Sequence, residues 1–156
     1  MVVAGEEIAT GVGEAILEKG GNAVDASIAT AFALAVTLPR AGNLGGGGFA
    51  LIRDVDDRVY ALDFRETAPQ ALSRDFYLDP KYSSTEGPSA AGVPGTVAGL
   101  WQMHRRFGKL PWAELVKPAE ALASQGFPIS AYEVEGISSR LERFSVFPST
   151  TEVFLP

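Results

Sequence analysis

The chain is 156 residues long and carries 13 basic against 19 acidic side chains, a net charge of −6. Hydrophobic residues make up 46% and charged residues 21%, the balance of a globular protein with enough length for one core. The absence of cysteine excludes disulfides, thiolate zinc sites, iron–sulfur clusters and cysteine nucleophiles; a single histidine, His104, excludes multi-histidine metal sites; and the acidic balance argues against a nucleic-acid surface.

The opening Met1-Val2-Val3-Ala4-Gly5-Glu6-Glu7 has neither a basic nor a long apolar region, so it does not read as a secretory signal. From Glu6 to Lys19, Ile8, Val12, Ala15 and Ile16 recur at helical spacing, and Gly20-Gly21 supplies the stop. Asn22 with Asp25 three residues on is a carboxylate variant of the capping box. The helix it opens, Ala23 to Leu38, is apolar nearly all round, so it must be covered on several sides. It is shorter than the roughly 20 residues that span a bilayer, and no membrane span is expected.

Phe49–Arg53 and Val59–Phe64 read as two strands joined by the polar turn Asp54 to Arg58, an antiparallel hairpin. Arg65 to Pro94 carries four prolines and weak periodicity, the pattern of a long surface excursion with at most short helical turns. A helix follows with the stripe Val97, Leu100, Trp101, His104 and Phe107, Pro94 in its first turn and Gly108 as its stop. The next stripe is Trp112, Leu115, Val116, Ala119, Leu122 and Ala123, ending at Gly126 and interrupted by Pro118, where a kink is expected. Ser130 and Glu133 form a capping box ahead of Val134, Ile137, Leu141 and Phe144, and Phe147 to Pro156 reads as extended. The fold class is α+β. Residues 1–156 read as one partial domain without an internal boundary, since two strands are too few for a complete sheet.

Two stretches stand out chemically. Gly42-Asn43-Leu44-Gly45-Gly46-Gly47-Gly48 suggests a phosphate cradle, yet the glycines follow a helix and open a strand, the reverse of nucleotide loops. Gly45, Gly46, Gly47 and Gly48 therefore serve either a steric need, positive φ or a close backbone approach, or the lining of a ligand site. The second stretch is Asp63-Phe64-Arg65-Glu66-Thr67-Ala68-Pro69. Arg65 leaves a strand end, where its fork could hold a carboxylate through two parallel hydrogen bonds; an ion pair with Asp63, Glu66 or a more distant acid is the structural alternative. His104 shares an apolar stripe with Trp101 and Phe107 and reads as packed. Thr150-Thr151 reads as polar linker rather than nucleophile, and Arg105-Arg106 as a small solvated basic spot.

Taken in order, these motifs resemble the γ-glutamyltranspeptidases. The resemblance rests on Gly20-Gly21-Asn22-Ala23-Val24-Asp25-Ala26, Ala41 through Phe49, Asp63 through Pro69, Gly92-Val93-Pro94-Gly95-Thr96-Val97-Ala98-Gly99, Leu110-Pro111-Trp112 and Gly126-Phe127-Pro128. It covers almost the whole chain and places it in the N-terminal part of the family's large subunit. It implies an N-terminal-nucleophile hydrolase fold, an αββα sandwich of which this chain forms the N-terminal portion. It also implies a precursor that cleaves itself, and a new N-terminal threonine on the small subunit that takes the γ-glutamyl group from glutathione and passes it to water, an amino acid or a peptide. No metal or organic cofactor is implied.

The family's arginine that binds the α-carboxylate of the donor falls on Arg65. The nucleophile segment, the oxyanion-hole glycines and the Ser-Ser pair have no counterpart in these 156 residues, so no catalytic residue is assigned here. The implied partners are glutathione and other γ-glutamyl compounds, the remainder of the large subunit, and the small subunit from the same precursor. A cephalosporin or glutaryl acylase is the alternative within the same class; a non-catalytic interaction domain is the alternative outside it.

Overall fold

The computed structural model describes residues 1–154. Helices α1 (Glu7–Glu18) and α2 (Ala23–Thr37) come first, then the hairpin β1 (Phe49–Arg53) and β2 (Val59–Asp63). The long excursion contains only the short 3₁₀ turns Phe76–Leu78 and Pro88–Ala90, before α3 (Thr96–Phe107) and α4 (Trp112–Gln125). The helices α5 (Ala131–Ser138), α6 (Leu141–Phe144) and α7 (Pro148–Phe154) follow. The chain divides into two compact units, Met1–Ser124 and Gln125–Pro156.

In the first unit α1 starts on the Glu6 side chain, which accepts the amides of Ile8 and Ala9 at 2.9 Å each. Burial works against the charge on Glu6, but these amides and the Thr37 hydroxyl outweigh it and hold the carboxyl below its usual range. Gly20, at φ +87°, closes the helix as only glycine does without strain. The face that α1 buries is Ala9, Gly13 and Ile16, with Ala15 exposed; the expected stripe through Ile8, Val12 and Ala15 is thus displaced. The cause is close helix packing: a Cβ on Gly13 would stand 2.3 Å from the Thr30 hydroxyl of α2.

α2 is covered along most of its length, with Ile28, Ala29 and Ala33 wholly buried, as its all-apolar sequence requires. The core joins Ile16, Ile28, Phe32, Leu100, Met103 and Leu115, with Ala50, Ile52, Leu62 and Phe64 of the hairpin region packed against it. Trp112 meets Phe32 edge-on at 5.4 Å and Trp101 at 5.2 Å. The core face of α3 is Thr96, Gly99, Leu100 and Met103, whereas Val97 and Trp101 remain nearly half exposed. The expected stripe is rotated because Gly99, with no side chain of its own, lies against the Phe64 ring. Gly95 is the N-cap of this helix, so Pro94 stands just before its first turn. α4 runs unbroken past Pro118, which lacks the amide that would reach the Glu114 carbonyl.

The hairpin register pairs Phe49 with Asp63, Leu51 with Ala61 and Arg53 with Val59. These pairs share one face, and the residues between them, Ala50, Ile52, Tyr60 and Leu62, turn toward the helices. On the outer face Phe49, Leu51 and Val59 are 66%, 80% and 66% exposed. An apolar sheet face of this kind favours association. The isolated chain is therefore expected to self-associate with concentration in sedimentation velocity and to bind a hydrophobic dye. A monodisperse monomer that leaves the dye dark would count against it.

In the second unit the Ser130 hydroxyl accepts the Glu133 amide at 3.2 Å and opens α5, and the expected single stripe is divided between α5 and α6. The expected extended end is instead helical as far as Phe154; Leu155 and Pro156 lie outside the described residues. Pro148 suits a first helical turn, the Phe147 carbonyl accepts the amides of Thr150 and Thr151, and the rings of Phe144 and Phe154 stand 5.2 Å apart.

Candidate functional site

The glycine run and the segment after β2 form one structure. Phe64 extends the ladder beyond Asp63, donating its amide to the Gly48 carbonyl at 3.0 Å and accepting the Gly48 amide at 3.4 Å. Its ring lies against Gly48 and Gly99: a Cβ would come within 2.9 Å of it at Gly48 and 2.1 Å at Gly99. The Gly46 carbonyl accepts the amides of Gly95 and Thr96 at 2.8 and 3.0 Å, and the Asn43 carboxamide oxygen accepts the Gly46 amide and the Thr96 hydroxyl. The amides of Gly95 and Thr96 at the start of α3 are thereby taken by main chain, in keeping with the reversed order of helix, loop and strand.

Close approach, not positive φ, explains most of the run. None of Gly45, Gly46, Gly47 and Gly48 lies in the left-handed region. A Cβ at Gly46 would meet the Asn43 side chain at 2.6 Å, while one at Gly47 would meet the Arg65 Cα at 2.6 Å and the Glu66 amide and Phe64 carbonyl at 2.7 Å. Gly45 alone among the four faces open space. Because the neighbours of Gly47 are backbone and cannot rotate away, Gly47→Ala is expected to destabilise the chain by about 1–3 kcal/mol, and Gly45→Ala to stay within about 0.5 kcal/mol. Urea midpoints of the two variants check this; equal midpoints would refute the packing account.

Arg65 is fixed at its base and free at its tip. Its Cα is pressed by Gly47, its amide donates to the Asp63 carboxylate at 3.0 Å, and two residues on Thr67 forms an antiparallel bridge with Val93. The side chain is exposed, with the guanidinium carbon 5.9 Å from the centre of the Phe49 ring. Among the described residues no carboxylate stands within ion-pair distance of it. Neither Asp63 nor Glu66 fills the structural alternative, since Asp63 is turned to the main chain instead. Beside Arg65 lies an open cavity of about 350 Å³ lined by Glu66, Thr67, Pro69, Tyr77 and Gly92 among others.

His104 is packed. Its Nε2 lies 2.7 Å from the Leu110 carbonyl, which can only accept, so this nitrogen carries hydrogen; its ring stacks on Trp101 at 5.7 Å and meets Trp112 at 5.4 Å. The Thr151 hydroxyl is engaged by the carbonyls of Phe144 and Phe147.

Two features go beyond the sequence reading. Gly95 and Gly99, four residues apart, both crowd Phe64, a spacing that in a helix signals one face. Asp25 is a hub rather than a cap alone: wholly buried, it accepts the amides of Asn22 at 3.0 Å, Lys109 at 3.0 and 3.2 Å, and Leu110 at 3.3 Å.

The gamma-glutamyltranspeptidase family model matches residues 9–156. The chain belongs to the gamma-glutamyltranspeptidase family. A glutathione hydrolase proenzyme of Pseudomonas aeruginosa is 54% identical over 134 residues, covering 83% of this chain and 24% of that protein. The crystal structure of the Helicobacter pylori gamma-glutamyltranspeptidase superposes with a TM-score of 0.93 at 42% identity, over 97% of this chain and 45% of that one. The Pseudomonas nitroreducens gamma-glutamyltranspeptidase, solved with L-DON, gives a TM-score of 0.91 at 46% identity, over 98% of this chain and 47% of that one. This chain thus spans about a quarter of the first curated relative and just under half of these two solved chains. Its α+β fold is part of the N-terminal-nucleophile hydrolase sandwich of the gamma-glutamyltranspeptidases.

Proposed function

We propose that this chain is part of a γ-glutamyltransferase/glutathione hydrolase and contributes the arginine that holds the donor's α-carboxylate, while the nucleophile comes from elsewhere in the precursor. The observation that carries the reading is the fork of Arg65, without an ion-pair partner among the described residues, on a main chain clamped by Gly47, Asp63 and the Thr67–Val93 bridge. Such a group suits a free α-carboxylate, because planar bidentate recognition gives both strength and orientation. With the carboxylate fixed, the γ-carbonyl of a glutamyl donor is presented to the small subunit's threonine. The hydroxyl oxygen attacks the γ-carbonyl carbon, the C–N bond breaks, the departing amine takes a proton, and an ester remains on the enzyme. Water, an amino acid or a peptide then attacks that ester and restores the hydroxyl. The partners in this scheme are glutathione and other γ-glutamyl compounds, the remaining large-subunit residues and the small subunit.

Release of a chromogenic anilide from its γ-glutamyl derivative tests the assignment. The isolated chain is expected to be inert, and a precursor in which this segment is joined to a threonine motif is expected to turn over. Activity that stays with the rigorously purified isolated chain, and that disappears on mutating one of its residues, would refute the division of labour.

A further inference from the structure

We propose that Phe49 is a positioning residue for the Arg65 guanidinium, an inference that rests on the carboxylate-binding reading above. Three observations converge on it. Phe49 and Asp63 are cross-strand partners at the open end of the hairpin, so their side chains share the outer face, and Arg65 emerges two residues beyond Asp63. The Arg65 guanidinium lies over the Phe49 ring at 5.9 Å, within cation–π range, although Phe49 is 66% exposed and makes no contribution to the buried core. Asp63, the acid best placed to compete for that guanidinium, is held on the Arg65 amide at 3.0 Å.

The chemistry of the two kinds of contact makes the arrangement useful. An ion pair would consume the N–H edge of the fork, the edge a substrate carboxylate needs. An aromatic ring attracts the cation through its negative face and takes none of the five N–H donors. A guanidinium steadied in this way keeps its charge and its donors, and loses rotamer freedom before the substrate arrives, which lowers the cost of ordering it on binding. An aliphatic residue at position 49 would preserve the apolar surface and the strand but not the quadrupole.

The test is steady-state kinetics of the complete processed enzyme on a γ-glutamyl anilide, comparing Phe49→Leu, Phe49→Tyr, Arg65→Ala and the double variant Phe49→Leu/Arg65→Ala. A parallel series replaces Phe49 with increasingly fluorinated phenylalanines, which retain shape and folding while draining the ring's negative face. Phe49→Leu is expected to raise KM about threefold to tenfold with kcat changed less than twofold, Phe49→Tyr to restore KM, and KM to climb with fluorination. In the Arg65→Ala background the Phe49→Leu effect should vanish, as coupling between the two residues demands. An unchanged KM across the fluorinated series, with Arg65→Ala still severely impaired, would overturn the role of Phe49 and leave the carboxylate reading intact. An Arg65→Ala enzyme with normal KM and kcat would overturn both.

Discussion

Arg65→Ala is expected to lower kcat/KM of the complete enzyme for γ-glutamyl donors by about two orders of magnitude or more. Losing a charge-assisted, bidentate contact to the donor's carboxylate costs roughly 2–4 kcal/mol, which sets that size. The structure makes the substitution a clean one. No carboxylate is paired with the guanidinium among the described residues, so its removal orphans no acid, and the main chain stays clamped by Gly47 and by the Asp63 carboxylate. Arg65→Lys keeps the charge but loses the planar fork, so it should recover only part of the deficit and separate charge from geometry. Precursor cleavage should persist in both variants, since it involves no glutamyl donor. Normal processing together with near wild-type kcat/KM for glutathione in Arg65→Ala would exclude the carboxylate role.

The largest effect on stability is expected at Asp25. Its carboxylate is wholly buried and accepts amides from the connection between α3 and α4 as well as from the start of α2. Asn22 reinforces the junction by donating its side-chain amide to the Phe107 carbonyl at 2.6 Å, and the Lys109 ammonium donates to the Gly20 carbonyl at 2.7 Å. Asp25→Ala leaves the amides of Asn22, Lys109 and Leu110 without their acceptor, and should cost about 3–5 kcal/mol. That is a large share of the roughly 5–15 kcal/mol typical of a whole domain. Asp25→Asn keeps one acceptor oxygen but turns an NH₂ toward the remaining donors, so it should fall between Asp25→Ala and the parent. Urea unfolding gives the magnitudes, and amide exchange at Lys109 and Leu110 should quicken first. An Asp25→Ala chain within about 1 kcal/mol of the parent would show that water replaces the carboxylate.

Much of this architecture was legible because its causes are local. Asn22 and Asp25 lie three residues apart and form the capping box that their spacing suggests. The apolar runs Phe49–Arg53 and Val59–Asp63 around the polar turn give the hairpin, and the prolines and weak periodicity between Arg65 and Pro94 agree with the two short 3₁₀ turns found there. The illegible parts depend on partners remote in sequence. Nothing near Gly47 in the chain shows that the Arg65 backbone will cross it, and nothing near Gly99 shows that a ring from position 64 will occupy its missing side chain. The same is true of the faces of α1 and α3, whose true core positions include glycines that a hydrophobic pattern passes over. Arg65 was legible as a strand-end arginine, but its freedom from ion pairing was not. Asp63 is near enough to serve as its counter-ion, and only the backbone geometry shows that carboxylate facing the amide.

The clamps at either end of the glycine run also govern which lineages of this segment can survive. Gly46 is tied to the start of α3 through its carbonyl, and Gly48 is tied to Phe64 through both of its main-chain groups. Between those anchors and β1 the chain has no slack. Deleting one residue there would slide the strand by one position, bring Phe49 to the helix side and put Ala50 opposite the emerging Arg65, because the two faces of a strand alternate. Exchange of residue type at Gly45 meets open space, whereas a change of length between Gly46 and β1 reassigns every side chain of β1. Insertions and deletions should accordingly be purged from this loop far more strictly than substitutions at Gly45.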